Sequence, residues 1–350
     1  MSFPLPTLAE LESAAAIVYQ HMPPTPEYSW PLLNVLAGTE IWVKHENHTP
    51  VGAFKIRGGL VLMEHLRRER PDVQGIISAT RGNHGQSIGY AANHAGIAAT
   101  IVVPHGNSQE KNAAMRAFGV ELVEHGDDFQ AACECADRLA VERNLYRLPS
   151  LHPLLVSGVG TYALEFLRNA PALDTVYVPI GMGSGICGMM AARNALGLAT
   201  KIVGVVSTGA PAYALSFAAG SVVEHAVTTE LADGLACRVP SADALQHILA
   251  GVDRIVSVTE KEVAAAMAAL FTCTHNVAEG AGAASLAAML QERAGTAGER
   301  VGVILCGGNV DANVFAEVLR GTLPGRVMNE EVTSTDTRNG LRVTQEAYSG

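Results

Sequence analysis

Short apolar runs alternate with longer helical patterns along most of the chain, and this alternation limits the folds open to it. Strands are expected at 75–79, 98–104 and 120–124, each followed by a helix, at 81–95, 109–118 and 129–142. A second series places strands at 175–180, 201–206, 255–258 and 301–305, with helices at 186–196, 260–270, 281–293 and 314–319. Strands that alternate with helices imply parallel β/α units, so the expected class is α/β: two open, mainly parallel twisted sheets flanked by helices. Ahead of them lie a helix over 8–21, an extended segment forced by Pro23, Pro24 and Pro26, and a strand over 40–45. A helix over 60–68 follows, which Gly58-Gly59 need not stop. Residues 207–250 resist assignment.

A length of 350 residues is a prior for two domains of roughly 100–200 residues each. The punctuation divides the chain into a small domain over 51–150 and a large one built from 1–50 and 151–321. From 322 the chain turns polar and aperiodic, which reads as a tail with no regulatory domain. The balance of 24 basic against 34 acidic residues gives a net charge of −10, which argues against a nucleic-acid or anionic-membrane partner. Cys133, Cys135, Cys187, Cys237, Cys273 and Cys306 form no C-x-x-C pair, so zinc is not expected. The N-terminal stretch lacks a basic start and an apolar segment, and no apolar stretch reaches spanning length. The expectation is a cytoplasmic protein with reduced thiols, and a homodimer as the commonest soluble assembly.

Glycine-rich turns follow apolar strands at three places, and ligands of open parallel sheets bind beyond the carboxyl ends of strands. Gly181-Met182-Gly183-Ser184-Gly185 can curl backbone amides around a phosphate at a helix start. Its formal match to a dinucleotide G-x-G-x-x-G fails a second requirement. The next strand ends in Ser207-Thr208 with no ribose-binding acid, which speaks against a nicotinamide dehydrogenase. Thr80-Arg81-Gly82-Asn83-His84-Gly85 sets amides, a carboxamide and an imidazole at a helix entrance, suited to a carboxylate. The third turn is Cys306-Gly307-Gly308-Asn309. A lone lysine, Lys55, stands in the small, apolar setting Gly52-Ala53-Phe54-Lys55-Ile56-Arg57-Gly58. Burial lowers a lysine pKa, and a neutral amine can form a Schiff base with a carbonyl.

Together these segments resemble the serine/threonine dehydratase family of fold type II enzymes that use pyridoxal 5'-phosphate (PLP), within the tryptophan synthase β-like superfamily. Residues 52–58 are similar to its Gly-Ser-Phe-Lys-x-Arg-Gly box, and 79–86 to its Ser-x-Gly-Asn-His-x-Gln segment. Residues 181–185 match its tetraglycine loop, and Glu279-Gly280-Ala281-Gly282-Ala283 its Glu-Pro-Ala-Gly-Ala segment. The resemblance implies PLP in a cleft between a large and a small domain, with Lys55 as the Schiff-base and catalytic lysine. It implies cofactor contacts from Phe54, Asn83, Gly181, Met182, Gly183, Ser184, Gly185, Glu279 and Cys306. Asn83 would meet the phenolic oxygen and Cys306 the pyridine nitrogen. Thr80, Arg81 and His84 would lie beside the substrate.

The departures carry information. Met182 and Ser184 replace glycines, which backbone recognition tolerates. Ser207 and Tyr213 stand where some members carry cation-binding acids, so that metal site is expected to be missing. Arg81 replaces the serine that racemases use as a second base, and a guanidinium is no base near neutral pH. It is either an ion-pair partner or a binder of a substrate carboxylate. The activity implied is a dehydratase and ammonia-lyase acting on a threonine- or serine-like 3-hydroxy-L-amino acid, by α-proton abstraction and β-hydroxyl elimination. Bulkier or acidic substrates such as phenylserine or 3-hydroxyaspartate stay open. So do racemisation, β-replacement and a non-catalytic PLP-binding or amino-acid-sensing role.

Overall fold

The computed structural model describes residues 3–127 and 129–323. The expected tail, past residue 323, lies outside the described residues. The strands are β1 (Glu27–Ser29), β2 (Glu40–His45), β3 (Gly75–Ala79), β4 (Ala98–Val103), β5 (Glu121–Glu124), β6 (Tyr146–Arg147), β7 (Thr175–Pro179), β8 (Lys201–Ser207), β9 (Arg254–Val258) and β10 (Arg300–Leu305). They form a six-stranded sheet in the order β1-β2-β10-β7-β8-β9 and a four-stranded sheet in the order β5-β4-β3-β6. Every pairing is parallel except β1 with β2. Among the described residues no helix is long and apolar enough to cross a membrane.

Both faces of the smaller sheet are apolar. Ile76, Ile101 and Val103 feed one buried cluster, and Ile77, Ala79 and Val102 feed another on the opposite face. A parallel strand covered by helices on both sides reads as such a continuous apolar run. The larger core gathers around the six-stranded sheet, with Val176, Val178, Val203, Val205 and Val303 among its residues.

The sequence reading misses β1 and β6, which at three and two residues are too short to show alternation. It also misses helix Pro31–Ala37 and, within 207–250, helices Ala212–Ala219 and Ala242–Gly251. Helix Lys55–Glu69 starts at the lysine itself rather than at 60. Glycine is a poor helix former, but here closeness matters more. A Cβ added to Gly158 in helix Pro153–Asn169 would lie 2.7 Å from the Gly58 Cα, so small residues let these two helices touch. Helix Asn83–Ala95 begins two residues later than expected, which leaves Arg81 in the preceding turn.

Arg57 is fully buried, in the first turn of the lysine helix. Its Nε and Nη2 donate to Glu46 at 2.7 and 2.9 Å, and its Nη1 and Nη2 donate to Glu165 at 2.6 and 2.9 Å. Thr161 accepts a further bond at 3.0 Å. Lys44, also fully buried, donates to Glu165, Glu27 and the Thr25 carbonyl at 2.8, 2.7 and 2.7 Å. Burial alone would raise the Glu165 carboxyl, but Arg57 and Lys44 outweigh it and hold the group below its ordinary value.

Removing one member leaves buried charge unpaired. Arg57→Ala should lower stability by about 3–5 kcal/mol, read as a drop in the urea midpoint; an unchanged midpoint would contradict the cluster's role. A depressed carboxyl pKa stabilises above its unfolded value. The Glu165 contribution should therefore be intact above about pH 4.5 and fade as pH falls through the lower folded value.

Candidate active site

The cluster fixes the entry to the lysine helix, and backbone pairing fixes the rest. The Phe54 N–H donates to the Cys306 carbonyl at 3.0 Å, and the Gly308 N–H donates to the Gly52 carbonyl at 2.9 Å. The Ser87 hydroxyl caps the Lys55 carbonyl at 2.6 Å. Lys55 thus leaves the junction between the two sheets half-buried. Its Nζ sits 4.5 Å from the centre of the Phe54 ring. Among the described residues this amine has no hydrogen-bond or ion-pair partner. Burial pushes it below the usual lysine range, and Cys306 and Glu279 pull only partly the other way.

The amine faces an inner cavity of about 120 Å³, whose wall includes Thr80, Arg81, Asn83, His84, Gly181 and Met182. This space opens into an outer cleft of about 1220 Å³ through Arg81, Lys111, Met182 and Asp233, which line both. Thr80 is buried and its hydroxyl accepts the Gly82 N–H at 3.1 Å, shaping the helix entrance. Burial first, then Lys55 and Arg147, pushes the His84 imidazole down to about 3, so it is neutral. Arg81 is exposed and has no ion pair among the described residues. Of the two roles left open for it, a structural ion pair is not what the structure displays.

Asn83 is the hub of a polar chain. Its Nδ2 donates to Glu279 Oε1 at 2.5 Å, and its Oδ1 accepts from Asn309 Nδ2 at 2.9 Å. Glu279 is buried, and its carboxyl is pushed up to about 7, by burial first with Lys111 opposing. Lys111 reaches Asp233 at 2.6 Å and Glu279 at 3.7 Å. The sequence reading quotes Asn309 only as part of a turn and misses Lys111 and Asp233. Lys111 looks like an ordinary residue in the first turn of helix Gln109–Ala117, and its partners are remote in sequence.

The glycine turn follows β7. Gly183 has φ +101°, a value that L side chains rarely adopt, and a Cβ there would meet the Ala244 Cβ at 2.6 Å. Ser184 and Gly185 lie inside helix Ser184–Ala195, in its first turn, where unpaired amides point out of the helix. Cys306 is buried and lines neither the inner cavity nor the outer cleft; burial, with Glu279, raises its thiol well above the usual range. Ser207 accepts the Gly209 N–H at 3.1 Å. Among the described residues no group of three or more His, Cys, Asp or Glu is placed to hold a metal ion.

These residues fit a phosphorylated aldehyde. The lysine amine has no partner among the described residues and burial lowers its pKa. The turn carries glycine at 181, 183 and 185, and Cβ atoms added at 181 and 183 would run into the surrounding protein. Two buried polar atoms bordering the site, His84 Nε2 and Glu279 Oε2, lack a hydrogen-bond partner among the described residues, although Lys111 lies 3.7 Å from Glu279 Oε2. Residues 18–307 match the family model described as "Pyridoxal-phosphate dependent enzyme". The chain belongs to this family. An L-threonine ammonia-lyase of Geobacter sulfurreducens is 36% identical, over 87% of this chain and 76% of the relative. An L-threo-3-hydroxyaspartate ammonia-lyase of Saccharomyces cerevisiae is 30% identical over 92% and 98% of the two chains. Maize serine racemase superposes with a TM-score of 0.84 at 25% identity, covering 91% of this chain and 98% of that one. The family thus matches the resemblance drawn from residues 52–58, 79–86, 181–185 and 279–283.

Borohydride reduction of the PLP-loaded protein, followed by peptide mass mapping, should place one pyridoxyl group on Lys55. Label on another lysine, with Lys55 unmodified, would remove Lys55 from its assigned place.

Proposed function

We propose that the chain is an ammonia-lyase for 3-hydroxy-L-amino acids of the threonine and serine type, yielding a 2-oxo acid and ammonia. The observation that carries this reading is the desolvated, unpaired Lys55 amine, between a glycine turn suited to phosphate and a helix entrance suited to a carboxylate. Residues 1–50 with 151–321 serve as the large, cofactor-binding domain and 51–150 as the small one. The reading extends to a cytoplasmic homodimer. The six cysteines are all unpaired, as a reducing compartment would leave them.

Lys55 would hold the cofactor, the amides of residues 181–185 its phosphate, and Asn83 its phenolic oxygen, with Phe54 and Cys306 as further contacts. Bound PLP supplies an electron sink for the pair released when the substrate Cα–H bond breaks. Lys55, favoured as a neutral amine by burial, takes that proton and can return it to the departing β-hydroxyl, which leaves as water. The released enamine tautomerises to an imine, and water hydrolyses it to the 2-oxo acid and ammonia. Thr80, neutral His84 and the first-turn amides of helix Asn83–Ala95 receive the substrate α-carboxylate without adding a competing positive charge. Cys306 keeps its proton because ionising it in so dry a place is costly. A neutral thiol cannot offset a full positive charge beside it, which favours elimination of a β-substituent over deeper storage of the electron pair.

Arg81 favours this reading over racemisation, because it offers no basic atom for the opposite face of Cα. Free of any ion pair among the described residues, its guanidinium is available to pair a carboxylate through two parallel hydrogen bonds.

Wild-type protein with PLP should release oxo acid and ammonia from at least one member of a panel containing threonine, serine, 3-hydroxyaspartate and phenylserine. No ammonia from any of them would sink the lyase reading and leave a binding or sensing role. Arg81→Ser should change kcat/KM by about tenfold or more for the preferred substrate. Identical kinetics across the panel would show that Arg81 touches no substrate.

A further inference from the structure

The glycine turn is gripped from behind by phenols. Tyr213 is buried, accepts the Ser241 N–H at 3.1 Å and donates to the Met182 carbonyl at 3.2 Å. The Ser241 N–H can only donate and the Met182 carbonyl can only accept, so the phenol proton lies toward Met182 and the direction of both bonds is fixed. Tyr162, also buried, donates to the Gly185 carbonyl at 3.0 Å. Ser241 is in turn the N-cap of helix Ala242–Gly251, where its hydroxyl accepts the Ala244 N–H at 3.4 Å. That same Ala244 is the residue a Cβ on Gly183 would strike. One helix start thus both orients the phenol and presses on the turn.

The C=O and N–H of a trans peptide point in opposite directions. Pinning the Met182 carbonyl toward Tyr213 therefore sets the Gly183 N–H on the other side of that peptide. A glycine at φ +101° would otherwise let the peptide rotate cheaply.

We propose that Tyr213, together with Tyr162, is a positioning residue for phosphate binding: by holding the Met182 and Gly185 carbonyls, the two hydroxyls preset the Gly183 and Ile186 amides at the glycine turn for an anion. Neither phenol touches the reacting atoms. Burial raises both phenols far above their ordinary range, so each keeps the proton it donates. The inference rests on the cofactor assignment and is independent of which amino acid is turned over.

The test titrates apoprotein with PLP and, separately, with pyridoxal, which lacks the phosphate, and follows absorbance. Tyr213→Phe should raise the Kd for PLP about tenfold while moving that for pyridoxal by less than about twofold. Tyr177→Phe removes another buried hydroxyl, one that bonds Glu292 at 2.7 Å, and should change neither. Equal weakening of PLP and pyridoxal would mean a general structural role and overturn the proposal, as would no weakening. Should Tyr213→Phe fail to fold, Tyr162→Phe undergoes the same comparison, and loss confined to PLP again supports the proposal while any other result overturns it. Wild-type protein that binds no PLP would overturn the cofactor assignment and this inference with it.

Discussion

Two residues past the lysine, one guanidinium is shared between carboxylates that the chain supplies from far apart. Glu46 follows β2, and Glu165 lies 108 residues beyond Arg57 on helix Pro153–Asn169. Each is fixed by more than one bond, so the start of the lysine helix cannot slide relative to the larger sheet. Such a buried cluster is not an efficient source of stability, because desolvating its members offsets much of the attraction. What it does supply is placement. A flexible four-carbon side chain can be aimed only if its helix is fixed, and here the fixing is ionic, dry and anchored on both sides of the junction.

The same geometry explains why the cleft works as one space although its walls come from separate sheets. Thr80, Asn83 and His84 follow β3 of the smaller sheet, the glycine turn follows β7 of the larger, and Cys306 follows β10. The carboxyl ends of all three strands meet at Lys55. Lys111 reaches from the smaller sheet's side to Asp233 and Glu279 on the other, and Asn309 reaches back to Asn83. Binding groups supplied from both sides let a ligand be enclosed without any single loop having to cover it.

What was legible in the sequence was local. Residues 52–58 and 181–185 carry their family resemblance in consecutive positions, and β/α alternation is a short-range pattern, so the fold class and the family could be read directly. What was not legible is defined by partners distant in the chain. Arg57 is conspicuous inside its box, yet nothing near it announces Glu165. In the sequence Tyr213 shows only a phenol where an acid would bind a cation, because its bonds to Met182 and Ser241 exist only after folding. Strand β6 has two residues and no pattern of its own; it is a strand because β3 lies beside it.

The position of β10 carries a further implication for how the molecule is made. It lies between β2 and β7 in the larger sheet, although among the described residues it is the last strand in sequence order. Until residues 300–305 leave the ribosome, β2 and β7 have no common neighbour and their facing edges stay open. The four strands of the smaller sheet, by contrast, all lie between residues 75 and 147 and can pair while synthesis is still under way. The smaller sheet can therefore assemble as an early folding unit, whereas the pocket, which needs the turn after β10, is closed only once residues 306–309 have been translated.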